Sequence, residues 1–471
     1  MSSFLNPFEI TIQIGVATLS QPSFRALIIG TGSAEIPYQL VTKESWQTAL
    51  SNVGYASTDP EYKMCAAFFA QNPSPSDVVV YRKLNGTSYT DALNALVLTF
   101  SDFWGVLATS DTLADQNEIG NWVASRAFGL NLNRTDTVSV SSSTSYKRFI
   151  AHDKLKTSGY QEISSSPLPF VSSTVHGISD ATYDLDITVD GGSLHQLSVS
   201  VTTTDTWNDL AGDIQTALRA ETSGNETVEI TPQGKIKVTS ESTGSDSSVL
   251  IEAGTAGSGG GDLLAAIDGL TDYETTIEGA VNGKVIYPDA ALMGRKLPFA
   301  HKGWGFKELS GIPATGYTTT QLSTAKSNNL LWVQSQYDSV YTQEPEPPES
   351  GMWIDVRYIM DYTKVQLEMA LLQLELQNED VPFDNTGIAL VEEKLRGVFS
   401  TLGGMGIVAK PVTKEDQEES DLGDYMYKLN VPARSGVPEL DRAARLLSGI
   451  TWSAVLAGSI YKFKVNGKFT A

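Results

Sequence analysis

Between residues 24 and 135 one pattern repeats, a short apolar run followed by an amphipathic one. "FRALIIG" reads as a buried strand and "TKESWQTALSNVG" as a helix ended by Gly54. "STDPEYKMCAAFFAQNP" is a second helix, with Thr58 and Glu61 at capping-box spacing and Pro60 near the first helical position. "DVVVYR" (strand), "SYTDALNALVLTF" (helix), "FWGVLATS" (strand) and "LADQNEIGNWVASRAF" (helix) follow. Parallel neighbours need a crossover, usually a helix, so this alternation implies an open, largely parallel sheet. The single cysteine, Cys65, falls in the apolar part of the second helix and is expected in the core. One cysteine excludes an internal disulfide framework and a Cys-based zinc site.

One such sheet does not use 471 residues, and roughly two to four domains are expected. From about 173 to 278 the chain becomes Ser/Thr/Gly-rich and strand-patterned. "YDLDITVDGG" alternates Tyr183, Leu185, Ile187 and Val189 into a hairpin signal, and "LHQLSVSV" returns. "TWNDLAGDIQTALRA" is a short amphipathic helix, "TVEITPQGKIKVTSE" a second hairpin and "SVLIEAG" a strand. The run "GSGGGD" (257–262) reads as a flexible connector. The α/β style resumes at "VIYPDAALMG", and "TQEPEPPESG" (342–351), acidic and proline-rich, reads as a stiff linker. Beyond it "MWIDVRYIMDYTKVQLEMALLQLELQ" is one long helix with two apolar stripes. One stripe is Tyr358, Tyr362, Val365, Met369, Leu372 and Leu376; the other is Met360, Leu367, Leu371 and Leu374, so cover on two sides is expected. Arg357/Asp361 and Lys364/Glu368, at i,i+4 spacing, read as a solvated stripe.

Strand patterns also stand near both ends. "FEITIQIGV" (8–16) sets Ile10, Ile12, Ile14 and Val16 against Glu9, Thr11 and Gln13, and "GSIYKFKVNGKFTA" (458–471) alternates in the same way. Asn466-Gly467 is a turn signal with almost nothing after it, so an edge able to pair with another chain is expected there. The expected fold class is thus α/β and α+β, multidomain. An open α/β sheet domain (21–172 plus 279–345) carries a β-rich insertion domain (173–278). A C-terminal α+β core domain (346–458) follows, with extended strand arms at 1–20 and 459–471.

Chemistry is harder to place. The net charge of −22 and pI near 4.6 argue against nucleic acid or anionic membrane as a partner and make close packing of copies salt-sensitive. The start, "MSSFLNPFEITIQIG", lacks the form of a secretory signal, and the most apolar window, "ALNALVLTFSDFWGVLA", is broken by Asn94 and Asp102. A soluble protein of a cytoplasm-like compartment is expected. "IIGTGSAEIP" places Gly30 and Gly32 after a strand, but Glu35 stands where the third glycine of a dinucleotide fingerprint belongs and Pro37 spoils a helix start. A tight turn in a sheet protein is the better reading. His152, His176, His195 and His301 are scattered without metal-ligand spacing, and no G-x-S-x-G elbow occurs. The acidic run "KEDQEESDLGD" (414–424) lacks the ligand order of a calcium loop and reads as solvated. No catalytic, cofactor-binding or metal-binding residue is assigned, and an enzyme is not expected.

The order of pieces does resemble a known family. "RALIIGTGSAEIPYQLVTKESWQTALSNVG" after a strand arm, "WGFKELSGIPATGYTTTQLSTAKSNNLLWV", an acidic linker, "SGMWIDVRYIMDY" opening a long helix, "FDNTGIALVEEKLRGVFSTLGGMGIV" and "GITWSAVLAGSIYKFKVNGKFTA" resemble the tail sheath proteins of contractile bacteriophages. The resemblance covers roughly 1–135 and 285–471. It implies a structural subunit that polymerises helically around an inner tube and contracts to drive that tube through a host envelope. It implies intersubunit strand pairing by Phe8, Ile10, Ile12, Ile14 and Val16 at one end and by Ile460, Phe463, Val465 and Phe469 at the other. It also implies an outward-facing insertion and an inner-tube contact in the C-terminal domain. Arg434, Arg442 and Arg445 are candidates for that contact, around "PELDRAARLLSG", a helix expected from Pro438 to Gly449. Pairing of these arginines with Glu439, Asp441 or the acidic run is the competing role. The implied partners are further copies of the chain, the inner tail tube protein, and the baseplate and tail terminator proteins. No cofactor, direct nucleic-acid contact or membrane insertion is implied, and the implied place is the virion tail, assembled in the host bacterial cytoplasm. The alternatives are the sheath of a phage-derived bacteriocin or injection device, a nucleotide-binding α/β enzyme, and a secreted adhesin built around the insertion.

Overall fold

The computed structural model describes residues 24–141, 144–244, 247–255, 257, 259–347, 352–411 and 424–460. The chain divides into two compact units, Lys154–Ile286 and the remainder on either side of it.

In the flanking unit, β1 (Ala26–Gly32), β2 (Ile36–Thr42), β3 (Asp77–Leu84), β4 (Gly105–Ala108), β5 (Leu130–Thr135), β6 (Lys147–Ala151), β14 (Leu331–Gln336) and β15 (Ser339–Gln343) form one sheet. Its order is β15-β14-β6-β5-β4-β1-β3-β2. The six inner strands are parallel, as the strand–helix alternation requires, and the two outermost are antiparallel. Helices α3 (Tyr89–Thr99) and α4 (Leu113–Ser125) cover one face, where Leu93, Leu96, Ile119 and Trp122 bury Leu27, Ile29, Val79 and Val106. Each fully buried side chain of this kind contributes about 1.5–3 kcal/mol. Helices α2 (Pro60–Phe69) and α7 (Pro288–Lys296) pack together, with Gly294 against the Phe68 backbone. Cys65 is wholly buried in α2.

Local expectations fail here where a tertiary partner intervenes. "IPYQLV", passed over as part of a turn, is the edge strand β2, displaced in register between Ile36 and Gln39 around Pro37. The capping box at Thr58/Glu61 is not formed. Asp59 is the N-cap residue of α2, and Glu61 is buried and bonds Arg82 at 2.8 Å, a charged partner stronger than a backbone N–H. At the other edge the outward N–H and C=O of Thr342 in β15 are taken by the Lys307 C=O (2.9 Å) and the Phe306 N–H (2.6 Å).

The stiff linker expected at 342–351 also begins later. Thr342 and Gln343 belong to β15, and Glu344 is buried. Its carboxylate accepts from the Trp304 N–H (3.3 Å) and from the Ile354 N–H (3.2 Å), the first N–H of the long helix α9 (Ile354–Gln377). The N-cap residue Trp353 makes no side-chain cap, and Glu344 serves this helix donor from ten positions upstream.

Arg357 and Asp361 overturn the solvated-stripe expectation most clearly. Asp361 is 1% exposed and Arg357 5%. The Asp361 carboxylate accepts from Trp104 Nε1 (2.9 Å), the Gly129 N–H (2.9 Å) and the Arg357 guanidinium. Gly129 has φ +101° and lies so close to the Trp104 carbonyl that a Cβ would fall 2.6 Å from it. The i,i+4 spacing placed the pair on one face, but the groups that bury that face come from more than 200 residues away. Cover on the first stripe is also incomplete. Phe24 sits on Tyr358 and Tyr362, and Val365 is buried, but Met369 and Leu372 are half-exposed and Leu376 is 76% exposed. The second stripe packs on α10 (Asn385–Gly404) through Leu367, Leu395, Phe399 and Leu402.

In the Lys154–Ile286 unit, β8 (Ala181–Val189), β9 (Leu194–Val201) and β12 (Val249–Ala253) form one sheet, in the order β12-β8-β9. The other contains β7 (Tyr160–Pro167), β10 (Thr227–Ile230), β11 (Ile236–Thr239) and β13 (Tyr273–Ile277), in the order β10-β11-β7-β13. Helix α5 (Trp207–Thr222) starts with a formed capping box, Thr206 with Asp209, and places Trp207 in the core against Phe170 and Tyr273. The hairpin turn signal holds, with Asp190 and Gly191 at φ +54° and +64°. The glycine run is not a free connector in its described part. Gly260 donates to the Thr182 carbonyl (2.9 Å), Asp184 donates to the Gly261 carbonyl (2.8 Å), and Asp262 caps α6 (Leu263–Asp268). Glycines are used because the segment lies against β8, where a Cβ on Gly260 would meet the Thr182 carbonyl at 2.8 Å. The two ends of the unit lie side by side, with the Ile286 N–H on the Leu155 carbonyl at 2.9 Å.

Two predictions concern the anchoring of α9. Asp361→Ala strands the buried Arg357 charge and should cost about 3–5 kcal/mol in urea unfolding, whereas Arg357→Met with Asp361→Leu should cost less. Asp355, in the first turn of α9, is pushed up to about 7, by burial first and then by the neighbouring Glu344. Unfolded, the carboxyl titrates near pH ~4, so between about pH 4 and 7 the folded chain holds a proton the unfolded chain releases. Its contribution to stability therefore falls as pH rises through that window. Asp355→Asn should flatten that dependence and raise stability at pH 8 by roughly 1–3 kcal/mol relative to the parent, read from urea midpoints at pH 5 and 8.

Candidate functional site

Open α/β sheets bind ligands outside the carboxyl ends of their strands, where the strand order reverses. Here that point is β1, with β3 on one side and β4 on the other. Side chains of the protein fill it. Gly30 and Gly32 lie within β1, paired to Arg82 and Leu84, rather than in a phosphate-cradling loop. They are glycines because the Glu61 carboxylate crosses Gly30 and the Arg82 side chain crosses Gly32, where a Cβ would stand 2.0 Å and 2.7 Å from those groups. Arg82 bonds both oxygens of Glu61 at 2.8 Å and Asp59 at 2.6 Å. At the end of β4, Arg134 donates to the Ala108 carbonyl (3.0 Å), to Asp289 (3.1 Å) and to Asp111. Burial pushes the Asp289 carboxyl up, and Arg134 opposes it. A nucleotide phosphate would have to displace these ion pairs, so the enzyme alternative gains no support from the crevice.

The histidines do not converge. His152 is buried with Nε2 2.8 Å from the Pro313 carbonyl, while His176 Nδ1 accepts from the Ile178 N–H in the other unit. Among the described residues no group of three His, Cys, Asp or Glu is arranged to hold a metal ion, and no helix is long and apolar enough to cross a membrane.

A second, smaller sheet lies in the C-terminal part of the fold. β16 (Tyr427–Asn430) and β17 (Thr451–Ala454) form a two-stranded antiparallel ribbon. Its inner face rests on α10, where the Phe399 ring stacks on Tyr427 (4.9 Å) and meets Trp452 (5.2 Å). Its outer face carries Lys428, Asn430, Thr451 and Ser453, all exposed. Past β17 the chain pairs with 407–409 through Ala409 N–H to Val455 C=O and Ala457 N–H to Ile407 C=O, both 2.8 Å. It then leaves at Gly458 (φ +59°), with Ser459 accepting from the Gly303 N–H at 3.0 Å and Ile460 73% exposed. Among the described residues this sheet has two strands, with the segment 407–409 bridged to the chain just past β17.

Of the residues assigned to strand pairing, Phe8, Ile10, Ile12, Ile14, Val16, Phe463, Val465 and Phe469 lie outside the described residues, as does most of the acidic run at 414–424. The helix expected from Pro438 to Gly449 is only α11 (Glu439–Ala443). Arg445 takes a left-handed conformation (φ +56°) and the Leu446 N–H returns to the Asp441 carbonyl, which stops it. Arg434 Nε donates to the Phe383 carbonyl (3.0 Å) and Arg442 to the Val437 carbonyl (2.6 Å), so Arg434 ties its loop to the segment before α10 and Arg442 braces its own loop. Among the described residues none of the three arginines forms an ion pair with Glu439 or Asp441. Leu440 and Leu446, 84% and 54% exposed beside them, carried no sequence signal, because exposure of a leucine is decided by what packs over it.

No protein-family model and no curated protein matches the sequence. Among solved structures, the chain is similar over 100% of its length to a chain of the anti-feeding prophage (AFP) baseplate, covering 99% of that chain at 10% identity and TM-score 0.49. It is similar, again over 100% of its length, to the AFP helical sheath in its contracted state, with 97% of that chain covered, 8% identity and TM-score 0.49. The sheath complex of an extracellular contractile injection system, PVC, in its contracted state, is matched with 97% of that chain covered, 9% identity and TM-score 0.46. These neighbours are sheath and baseplate structures of contractile injection systems.

Proposed function

We propose that this chain is a structural subunit of a contractile sheath, on a phage tail or on a phage-derived injection device. The observation that carries this role is a contrast within one unit. The crevice where an α/β sheet would hold a ligand is packed with ion pairs, while the C-terminal ribbon has two strands among the described residues and the chain departs from it exposed at Ile460. The sequence resemblance to tail sheath proteins points the same way, whereas the solved neighbours, below a TM-score of 0.5, are not needed for it.

In this role the strand segments at 8–16 and 459–471 add to the ribbon edges of neighbouring copies, main-chain bonds supplying the link. A head-to-tail contact that does not close on itself generates a helical filament. Contraction re-docks the globular parts against one another while the strand links keep the lattice connected. A gain of a few kcal/mol per copy then sums to mechanical work without a cofactor. The Lys154–Ile286 unit faces outward, and the inner-tube contact falls on the loop of Arg434, Arg442 and Arg445, with Arg445 the most available of the three. The inner tube, baseplate and terminator proteins are the further partners.

Negative-stain electron microscopy of the purified chain at low and high salt should show hollow striated tubes, favoured by the salt that screens the −22 charge. Deleting 461–471 keeps the bond from Gly303 to Ser459 and should leave the melting temperature unchanged while abolishing the tubes. Joining Asp153 to Tyr287 by a short linker should leave tube formation intact, because the ends of the removed unit lie together. Regular tubes from the tail-deleted chain would refute strand linking.

A further inference from the structure

α9 separates two surface features of opposite charge. At its start, the stretch 290–312 carries Arg295, Lys296, Lys302 and Lys307 against one carboxylate, Glu308, in a chain of net charge −22. Glu344 joins this stretch to the helix, because it binds the Trp304 N–H and the Ile354 N–H together. Lys302 is exposed, Arg295 and Lys307 are half-buried, and among the described residues none of the three forms an ion pair. They stand close enough to repel one another. Burial first, then Arg295, pushes the Lys307 ammonium down, with Lys302 adding to the shift and Glu344 opposing it. The Lys302 ammonium lies 5.0 Å from the centroid of the Phe299 ring, which is 43% exposed.

At the other end of α9, Glu375 to Asp380 are exposed without a break. Glu375, Glu379 and Asp380 flank Leu376, which is 76% exposed. A helix C-terminus carries partial negative charge, which favours cations in the last turn. α9 has no basic residue there and has Glu375 instead. Lys394 donates to the Gln377 side-chain oxygen (3.1 Å) and Arg434 to the Phe383 carbonyl (3.0 Å) rather than to a carboxylate. Among the described residues Glu375, Glu379 and Asp380 form no ion pair. The tip thus places carboxylates on the unfavourable end of a dipole, with no described cation paired to them.

We infer that this carboxylate tip docks on the cationic patch of a second copy of the chain. Tip and patch do not meet within one chain, because at 1.5 Å rise per residue Ile354 and Gln377 lie about 35 Å apart. Complementarity identifies the occupant. The patch sets Arg295, Lys302 and Lys307 beside an exposed ring, and the tip sets three carboxylates beside an exposed leucine, so charge and apolar surface match together. The net charge of −22 opposes association of copies, and a local contact of opposite sign supplies the attraction. Tip to patch uses different surfaces of each copy, so the contact repeats head to tail. It rests on the self-assembling role proposed above and gives that role a link between folded surfaces.

Zero-length carbodiimide crosslinking of the full-length chain tests the contact, with unlabelled and heavy-nitrogen preparations mixed in equal parts. Amide bonds joining Lys302 or Lys307 to Glu375, Glu379 or Asp380 should appear in peptide pairs of mixed label. In sedimentation velocity, self-association should weaken at least about tenfold in Lys302→Glu and in Glu379→Lys with Asp380→Lys, and should recover in the chain carrying all three. All three sites are exposed, so the melting temperature should not move. Copies that associate without these mixed-label bonds, or whose association neither reversal weakens, would overturn the contact and leave the sheath role standing. Mixed-label bonds in a preparation that forms no tubes would uphold the contact and overturn the sheath role. A chain that stays monomeric at every concentration would overturn both.

Discussion

The buried Asp361 carboxylate is the point on which the larger unit depends. It receives Trp104 Nε1 from the entrance to β4, the Gly129 N–H from the entrance to β5 and the Arg357 guanidinium from its own helix. One side chain thereby fixes α9 against two neighbouring parallel strands. Removing it from water is costly, and the pair adds little net stability compared with an apolar replacement. What it supplies is position, since no rotated or shifted α9 satisfies the same three donors. Glu344 repeats the device at the start of the helix, tying the Ile354 N–H to the Trp304 N–H. The C-terminal core of α10 and the ribbon is then carried by the second half of a helix whose first half is locked to the sheet.

Buried charge has a second use at the reversal of strand order. Arg82 with Glu61 and Arg134 with Asp289 occupy the place where other α/β sheets receive a phosphate or a small molecule. Each guanidinium is satisfied by several oxygens, as burial demands.

Local periodicity made much of this legible. β1, β3, α3, α4, the β8–β9 hairpin and the whole of α9 lie where the spacing of apolar residues puts them. What stayed hidden needed a distant partner. Arg357 and Asp361 look like a solvent-facing pair until Trp104 and Gly129 are brought over them. Glu61 looks like a cap until Arg82 claims it, and the glycine run looks like a tether until β8 lies under it. The candidate pairing site was half legible. Alternation at 8–16 and 458–471 marked segments fit to be strands, but nothing local shows that the ribbon at Tyr427–Asn430 has only two strands among the described residues.

The two edges of the eight-stranded sheet acquire a meaning when they are taken together. β2 carries Pro37 and a register shift, and the outward groups of Thr342 in β15 are taken by Phe306 and Lys307. A foreign strand therefore meets an irregular rim on one side and an occupied one on the other. Both edges of the largest sheet are thereby closed to a further strand. The error most dangerous to a sheet protein, growth by stacking its largest sheet edge to edge, is suppressed by the covalent sequence of the rim itself.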